Sequence, residues 1–125
     1  MNGNRVWLYR RAANNRNNAD VLLMQKRRLE AYAQEHNFEI VGRSGDRGEG
    51  RLAELPGLLK FKNAMERQRV DILLLFSLSC LGTDSGEVSR YWRSLRTHGI
   101  RLYTVTEGEI YLDMRALFSE LFGTG

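Results

Sequence analysis

The stretch that most constrains the fold is "VDILLLF", residues 70 to 76, apolar throughout except for Asp71. A strand with one wet face alternates apolar and polar residues. A nearly continuous apolar run instead describes a strand covered on both faces, as in a parallel sheet sandwiched between helices. This run is therefore expected to be the central strand, and the rest of the chain must supply helices for both faces.

Hydropathy patterning along the chain meets that requirement. "RVWLY", residues 5 to 9, is strand-like, and "ANNRNNA", residues 13 to 19, is a polar loop whose asparagines suit turns and helix caps. From Asp20 to about His36, the residues Leu22, Gln25, Leu29, Tyr32 and His36 recur at three- and four-residue intervals, which predicts a helix with Gln25 on an otherwise apolar stripe. "FEIVG" predicts a second strand, followed by "RSGDRGEGR", residues 43 to 51, a mobile glycine-rich charged loop. Pro56 suits a helix's first turn, with Glu54 nearby to complement the helix dipole. Leu58, Phe61 and Met65 form its inward stripe, and the helix is expected to end near Gln68. After the central strand, "TDSGEVSRYWRSLRTHG" offers Asp84 or Ser85 as a cap, Val88, Tyr91, Trp92 and Leu95 as a buried face, and Gly99 as the stop. "IRLYTV" predicts a fourth strand, and "YLDMRALFSELF" a last helix ending at Gly123.

Strands alternating with helices imply right-handed crossovers. The expected fold is an α/β, mainly parallel sheet of four to five strands flanked by helices in three layers. The 125 residues fit one domain, and no internal repeat or linker divides them. No window approaches the roughly 20 apolar residues of a membrane span, and the N-terminus lacks the apolar stretch of a signal peptide, so a cytoplasmic protein without a membrane partner is expected. A single cysteine, Cys80, excludes an internal disulfide, and histidines at 36 and 98 have no zinc-ligand spacing, so neither a metal nor a cofactor is expected. The net charge of +4 is unevenly spread. Residues 1 to 51 carry ten Lys/Arg against six Asp/Glu, and residues 101 to 125 carry two against four, which leaves a basic front compatible with phosphate contacts.

In parallel α/β sheets functional groups gather at the carboxyl ends of the strands. That rule selects Arg10 and Arg11, Ser44 to Arg51, Ser77 to Thr83, and Thr104 to Glu107. The glycine-rich "GDRGEGR" lacks the Lys-Ser/Thr of a phosphate-binding P-loop and carries two acids.

Four of these segments carry a resemblance. "VWLYRRA" is similar to Tyr-x-Arg-Val-Ser, "ELPGL" to Asp-Arg-Pro-Gly-Leu, and "SCLGTD" to Ser-Arg-Leu-Gly-Arg-Asp, with the helix bearing Leu22 and Gln25 in register between the first two. From residue 4 to about 122 the chain resembles the N-terminal catalytic domain of the resolvase/invertase serine recombinases. The resemblance implies a fold and a chemistry: a serine attacks a DNA phosphodiester, forms a phosphoserine link, and strands are exchanged within a tetramer. Such chemistry needs an oxygen that can lose its proton and preorganised cations to neutralise the crowded phosphate.

Carried over residue by residue, the resemblance puts the nucleophilic serine on Ala13, a methyl group. It retains the neighbouring arginine as Arg11 and the helical glutamine as Gln25. The arginine before Pro-Gly-Leu falls on Leu55, the two of the Arg-Leu-Gly-Arg segment fall on Cys80 and Thr83, and a loop serine falls on Glu49. The expectation is a degenerate active site without catalysis. Phosphate contacts would then rest on Arg10, Arg11, Arg47 and Arg51, although alternation along a strand sends Arg10 and Arg11 to opposite faces. The alternative is a relocated nucleophile among Ser77, Ser79 and Cys80, with Ser79 foremost; another is a small-ligand pocket at the same strand tips.

The last predicted helix carries Tyr111, Leu112, Met114, Leu117, Phe118, Leu121 and Phe122, more than one face can bury against a sheet. The surplus is expected to pack on another chain, with Tyr111, Met114, Leu117, Phe118, Leu121 and Phe122 forming an oligomer interface, either in a homodimer or with an active recombinase. The family continues into a long dimerising helix and a DNA-binding domain; the sequence ends at Gly125, so DNA contact is expected to be weak.

Overall fold

Leu73 and its neighbours occupy the middle of the sheet. In the computed structural model, which describes residues 3 to 112, β1 (Arg5–Ala12), β2 (Glu39–Arg47), β3 (Ile72–Leu75), β4 (Arg101–Thr104) and β5 (Gly108–Glu109) pair in the order β2-β1-β3-β4-β5. β1 to β4 are parallel and β5 is antiparallel to β4. All four residues of β3 are buried, which is why that segment tolerates no polar alternation.

Helix α1 (Asn18–Glu35) covers one face, and α2 (Pro56–Glu66) and α3 (Ser85–Thr97) cover the other. The core is correspondingly double. Val6, Leu8, Ile72 and Leu74 pack with Leu29 and Ala33 of α1, while Tyr9, Leu73, Leu75 and Leu102 pack with Phe61, Met65, Trp92 and Leu95. This is the expected three-layer α/β architecture. Among the described residues no helix is long and apolar enough to cross a membrane.

Local chemistry explains the element ends. Pro56 starts α2, where its missing N–H is an orphan donor in any case. Of the two candidate caps for α3, Asp84 does the work: its carboxylate accepts from the Glu87 backbone N–H at 3.1 Å. Gly99 ends that helix with φ +74°, a conformation disfavoured by side chains.

Two expectations are corrected. The first is that "RSGDRGEGR" is all loop. β2 runs through Arg43, Ser44, Gly45, Asp46 and Arg47, paired in register with Leu8 to Ala12, and only Gly48 to Arg51 lie between it and a single 3-10 turn, Leu52–Glu54. β1 offers ladder hydrogen bonds to whatever lies beside it, and the inward polar side chains of β2 find partners. Ser44 Oγ accepts from Trp7 Nε1 at 2.8 Å and donates to the Gly57 carbonyl at 2.7 Å. The Asp46 carboxylate accepts from the Tyr9 hydroxyl at 2.7 Å and from the Gly57 N–H at 2.9 Å. The second concerns α1, whose fully buried positions are Gln25, Leu29 and Ala33. His36 is exposed beyond the helix end, its ring stacked on Tyr32 at 3.8 Å.

Candidate active-site crevice

The carboxyl ends of β1, β2 and β3 open into a crevice of about 1220 Å³. β1 is longer than β3 and projects beyond it: pairing with β3 stops at Leu8–Leu74, while pairing with β2 continues to Ala12–Arg47. The backbone groups of Arg11 that point toward β3 therefore have no strand to meet. Gln25 reaches across from α1 to take that place. Its Oε1 accepts from the Arg11 N–H at 3.0 Å, and its Nε2 donates to the Arg11 carbonyl at 2.9 Å. A side-chain amide thus substitutes for a β-strand peptide, and the buried Gln25, 5% exposed, is satisfied at both ends.

The side chain of Arg11 lies across the crevice. Nε and Nη2 donate to the Gly48 carbonyl at 3.1 and 3.0 Å, and Nη1 donates to the Cys80 carbonyl at 3.2 Å. Three of the guanidinium's five N–H groups are thereby committed to the chain, bridging the end of β2 to the 3-10 turn Leu78–Leu81 that follows β3. The Gly48 N–H donates in turn to the Ala12 carbonyl at 2.9 Å. Ala13 follows, exposed, with its methyl group among the crevice residues.

Of the residues expected at the site, Arg11, Ala13, Gln25, Arg47, Glu49, Ser77, Ser79, Cys80 and Thr83 line the crevice. The others are elsewhere. Arg10 extends to the α1 side and donates to the Leu22 carbonyl at 3.2 Å. Arg51 lines a separate cleft, and Leu55 is buried in the core beneath α2. The turn after β4 does not reach the crevice, because Thr104 Oγ1 accepts from the Glu107 N–H at 2.9 Å and folds that segment toward β5. Tyr111 is 67% exposed; Met114, Leu117, Phe118, Leu121 and Phe122 lie outside the described residues.

Charges around the crevice are mixed. Arg11 and Arg47 share the lining with Glu49, Asp84 and Glu87, so among the described residues it holds no surplus of cations. Glu87 escaped the sequence reading, as did Tyr9, while Asp46 lay within the selected stretch Ser44 to Arg51 without a role of its own. The Glu87 carboxylate accepts from the Leu52 N–H at 2.9 Å and ties the start of the 3-10 turn to α3. Its signal in the sequence was an acid three residues after a capping Asp, which local reasoning assigns to a capping box or the helix dipole. Burial and the bond to Asp46 push the Tyr9 hydroxyl's pKa well above the ordinary phenol value, so it is a permanent donor there. Ser77 and Ser79 place their hydroxyl oxygens 2.6 Å apart at the mouth.

The family model "Resolvase, N terminal domain" matches residues 6 to 124. The chain belongs to the resolvase family. Solved structures with the same architecture include the N-terminal catalytic domain of TP901-1 integrase, 19% identical with TM-score 0.74, the match covering 95% of this chain and 91% of that one. A resolvase family site-specific recombinase from Streptococcus pneumoniae is 25% identical with TM-score 0.73, covering 95% and 85%. The C-terminal catalytic domain of ISC1926 TnpA, an IS607-like serine recombinase, is 24% identical with TM-score 0.72, covering 95% and 78%. No curated protein matches the sequence.

Proposed function

We propose that this resolvase-family domain does not cut DNA and acts by binding: to a second copy of itself, to an active recombinase, or weakly to DNA. The observation that carries the reading is Ala13 at the tip of β1, lining the crevice beside Arg11. A methyl group cannot form a bond to phosphorus. The surrounding substitutions point the same way. Leu55 is buried among apolar side chains, Cys80 is 4% exposed, and Thr83 carries no charge, so three positions that the resemblance reserves for arginines offer none.

Magnitudes support inactivity. Loss of a nucleophile in a hydrolase triad lowers the rate by about 10⁶, and loss of one charge-stabilising donor by roughly 10² to 10³. Such losses do not add in full, but no remaining contact replaces the covalent bond. Arg11 has two N–H groups left for a phosphate, and the acids in the same lining weaken that affinity.

A second reading, an active or accessory recombinase with a relocated nucleophile, draws on the Ser77–Ser79 hydroxyl pair. Either serine lies within the crevice, yet the partner of each is another hydroxyl, and no carboxylate or imidazole bonds to them among the described residues. One experiment separates the readings. The protein is incubated with end-labelled supercoiled and linear DNA and resolved by denaturing electrophoresis. No covalent adduct is expected; an adduct lost in Ser79→Ala would establish the second reading in place of the first.

A further inference from the structure

A second cavity, of about 400 Å³, lies between α2 and α3 on the outer side of the helical layer; of the arginines expected to contact phosphate only Arg51 lines it. Its floor is apolar: Leu58, Met65 and Leu95 are buried core residues whose outer surfaces face the cleft. Its rim is cationic. Arg51, Lys62 and Arg90 are exposed around it, and none has a carboxylate within ion-pair distance among the described residues. Among the described residues the one acid in the lining, Glu87, spends one carboxylate oxygen on the Leu52 N–H.

Apolar floor and cationic rim together select a chemistry. A neutral apolar molecule would cover the floor but leave the rim's field unanswered, and a small inorganic anion would meet the rim without burying any floor. An anion with an apolar body satisfies both. The volume falls within the range of small-molecule sites, roughly 300 to 1,000 Å³. Cations set at the edge of an apolar depression concentrate their field in it, since the protein wall polarises less than water. We propose that the α2–α3 cleft is a binding site for a small amphiphilic anion, an aromatic or branched apolar body bearing one carboxylate or sulfonate. Its lining shares only Glu87 with the strand-tip crevice, and the site stands whether or not the domain cuts DNA.

The probe is 1-anilinonaphthalene-8-sulfonate, titrated into the folded full chain and followed by fluorescence, with uncharged N-phenyl-1-naphthylamine as the matched apolar body. The sulfonate is expected to bind saturably, one per chain, and about tenfold or more tighter than its neutral counterpart. Lys62→Glu with Arg90→Glu should weaken it by a similar factor, whereas Lys60→Glu with Arg93→Glu, exposed positions on the same helices outside the cleft, should change it less than about twofold. Ser94→Trp, which fills the cleft from an exposed position, should abolish binding, with folding of each variant checked by its melting curve. Equal affinity for the two dyes, or indifference to the rim reversal, overturns the proposal. Release of the dye as protein concentration rises would assign the cleft to a second copy of the chain and overturn it equally.

Discussion

Replacing Gln25 with alanine removes the side chain that stands in for a missing strand beside Arg11. Two backbone groups lose their partners, the Arg11 N–H at 3.0 Å and its carbonyl at 2.9 Å. A buried polar group left unpaired costs about 1–3 kcal/mol. The crevice is open to water, which can enter the space vacated by the amide and partly hydrate both groups. The lower half of that range applies, giving a loss of about 2–4 kcal/mol for the pair. With an unfolding entropy near 2.1 cal/mol/K per residue, this lowers Tm by about 8–15 °C. Gln25→Leu keeps the bulk and removes only the polarity, so it should lose nearly as much. Gln25→Glu is more informative. One oxygen still accepts from the Arg11 N–H, but the other now faces the Arg11 carbonyl and is tolerated only when it carries a proton. The folded-state pKa of this glutamate is then raised above its unfolded value, and the folded state holds more protons in the interval between them. Stability of the variant must therefore fall as pH rises through that interval and recover on acidification. Thermal and urea unfolding from pH 4 to 8 measure all three variants. A Gln25→Leu protein as stable as the parent would refute the reasoning.

Other perturbations test other links. Gly57→Ala would put a Cβ 2.6 Å from Asp46 Oδ2 and 2.8 Å from the Gly45 carbonyl oxygen; the carboxylate can shift but the strand backbone cannot. Urea denaturation should register a loss of about 2–4 kcal/mol. The Arg5 guanidinium, bonded to Asp71 at 2.8 and 3.0 Å, holds that carboxyl below its ordinary value. The stabilisation it brings is complete above the unfolded carboxylate pKa and disappears as pH falls through the lower folded value. The pair is partly exposed, so Asp71→Asn should cost less than about 1 kcal/mol at neutral pH and nothing once acid has protonated the parent. On the proposed reading, Ala13→Ser supplies an oxygen but not the cations that the resemblance places at Leu55, Cys80 and Thr83, and denaturing gels should show no DNA adduct above the parent's background.

The sequence by itself determined the alternation of strands and helices from β1 to β4, the burial of β3 on both faces, the helix start at Pro56, and the stop at Gly99. Each rests on local covalent geometry or on a hydropathy period within one segment, so neighbours in space were not needed. It also determined that Arg10 and Arg11 diverge, because alternation is a property of a single strand. Tertiary structure decided which of the two enters the crevice, and it carried β2 through five residues whose glycines and charges resemble a loop. It alone revealed why a glutamine sits on the apolar stripe of α1, why Asp46 turns inward beneath Gly57, and why Leu55 lies in the core and Arg51 at another cleft. Those outcomes depend on unpaired hydrogen-bonding groups that only the assembled fold exposes. A peptide left without a partner by the shortness of β3 is invisible until β1 and β3 lie side by side.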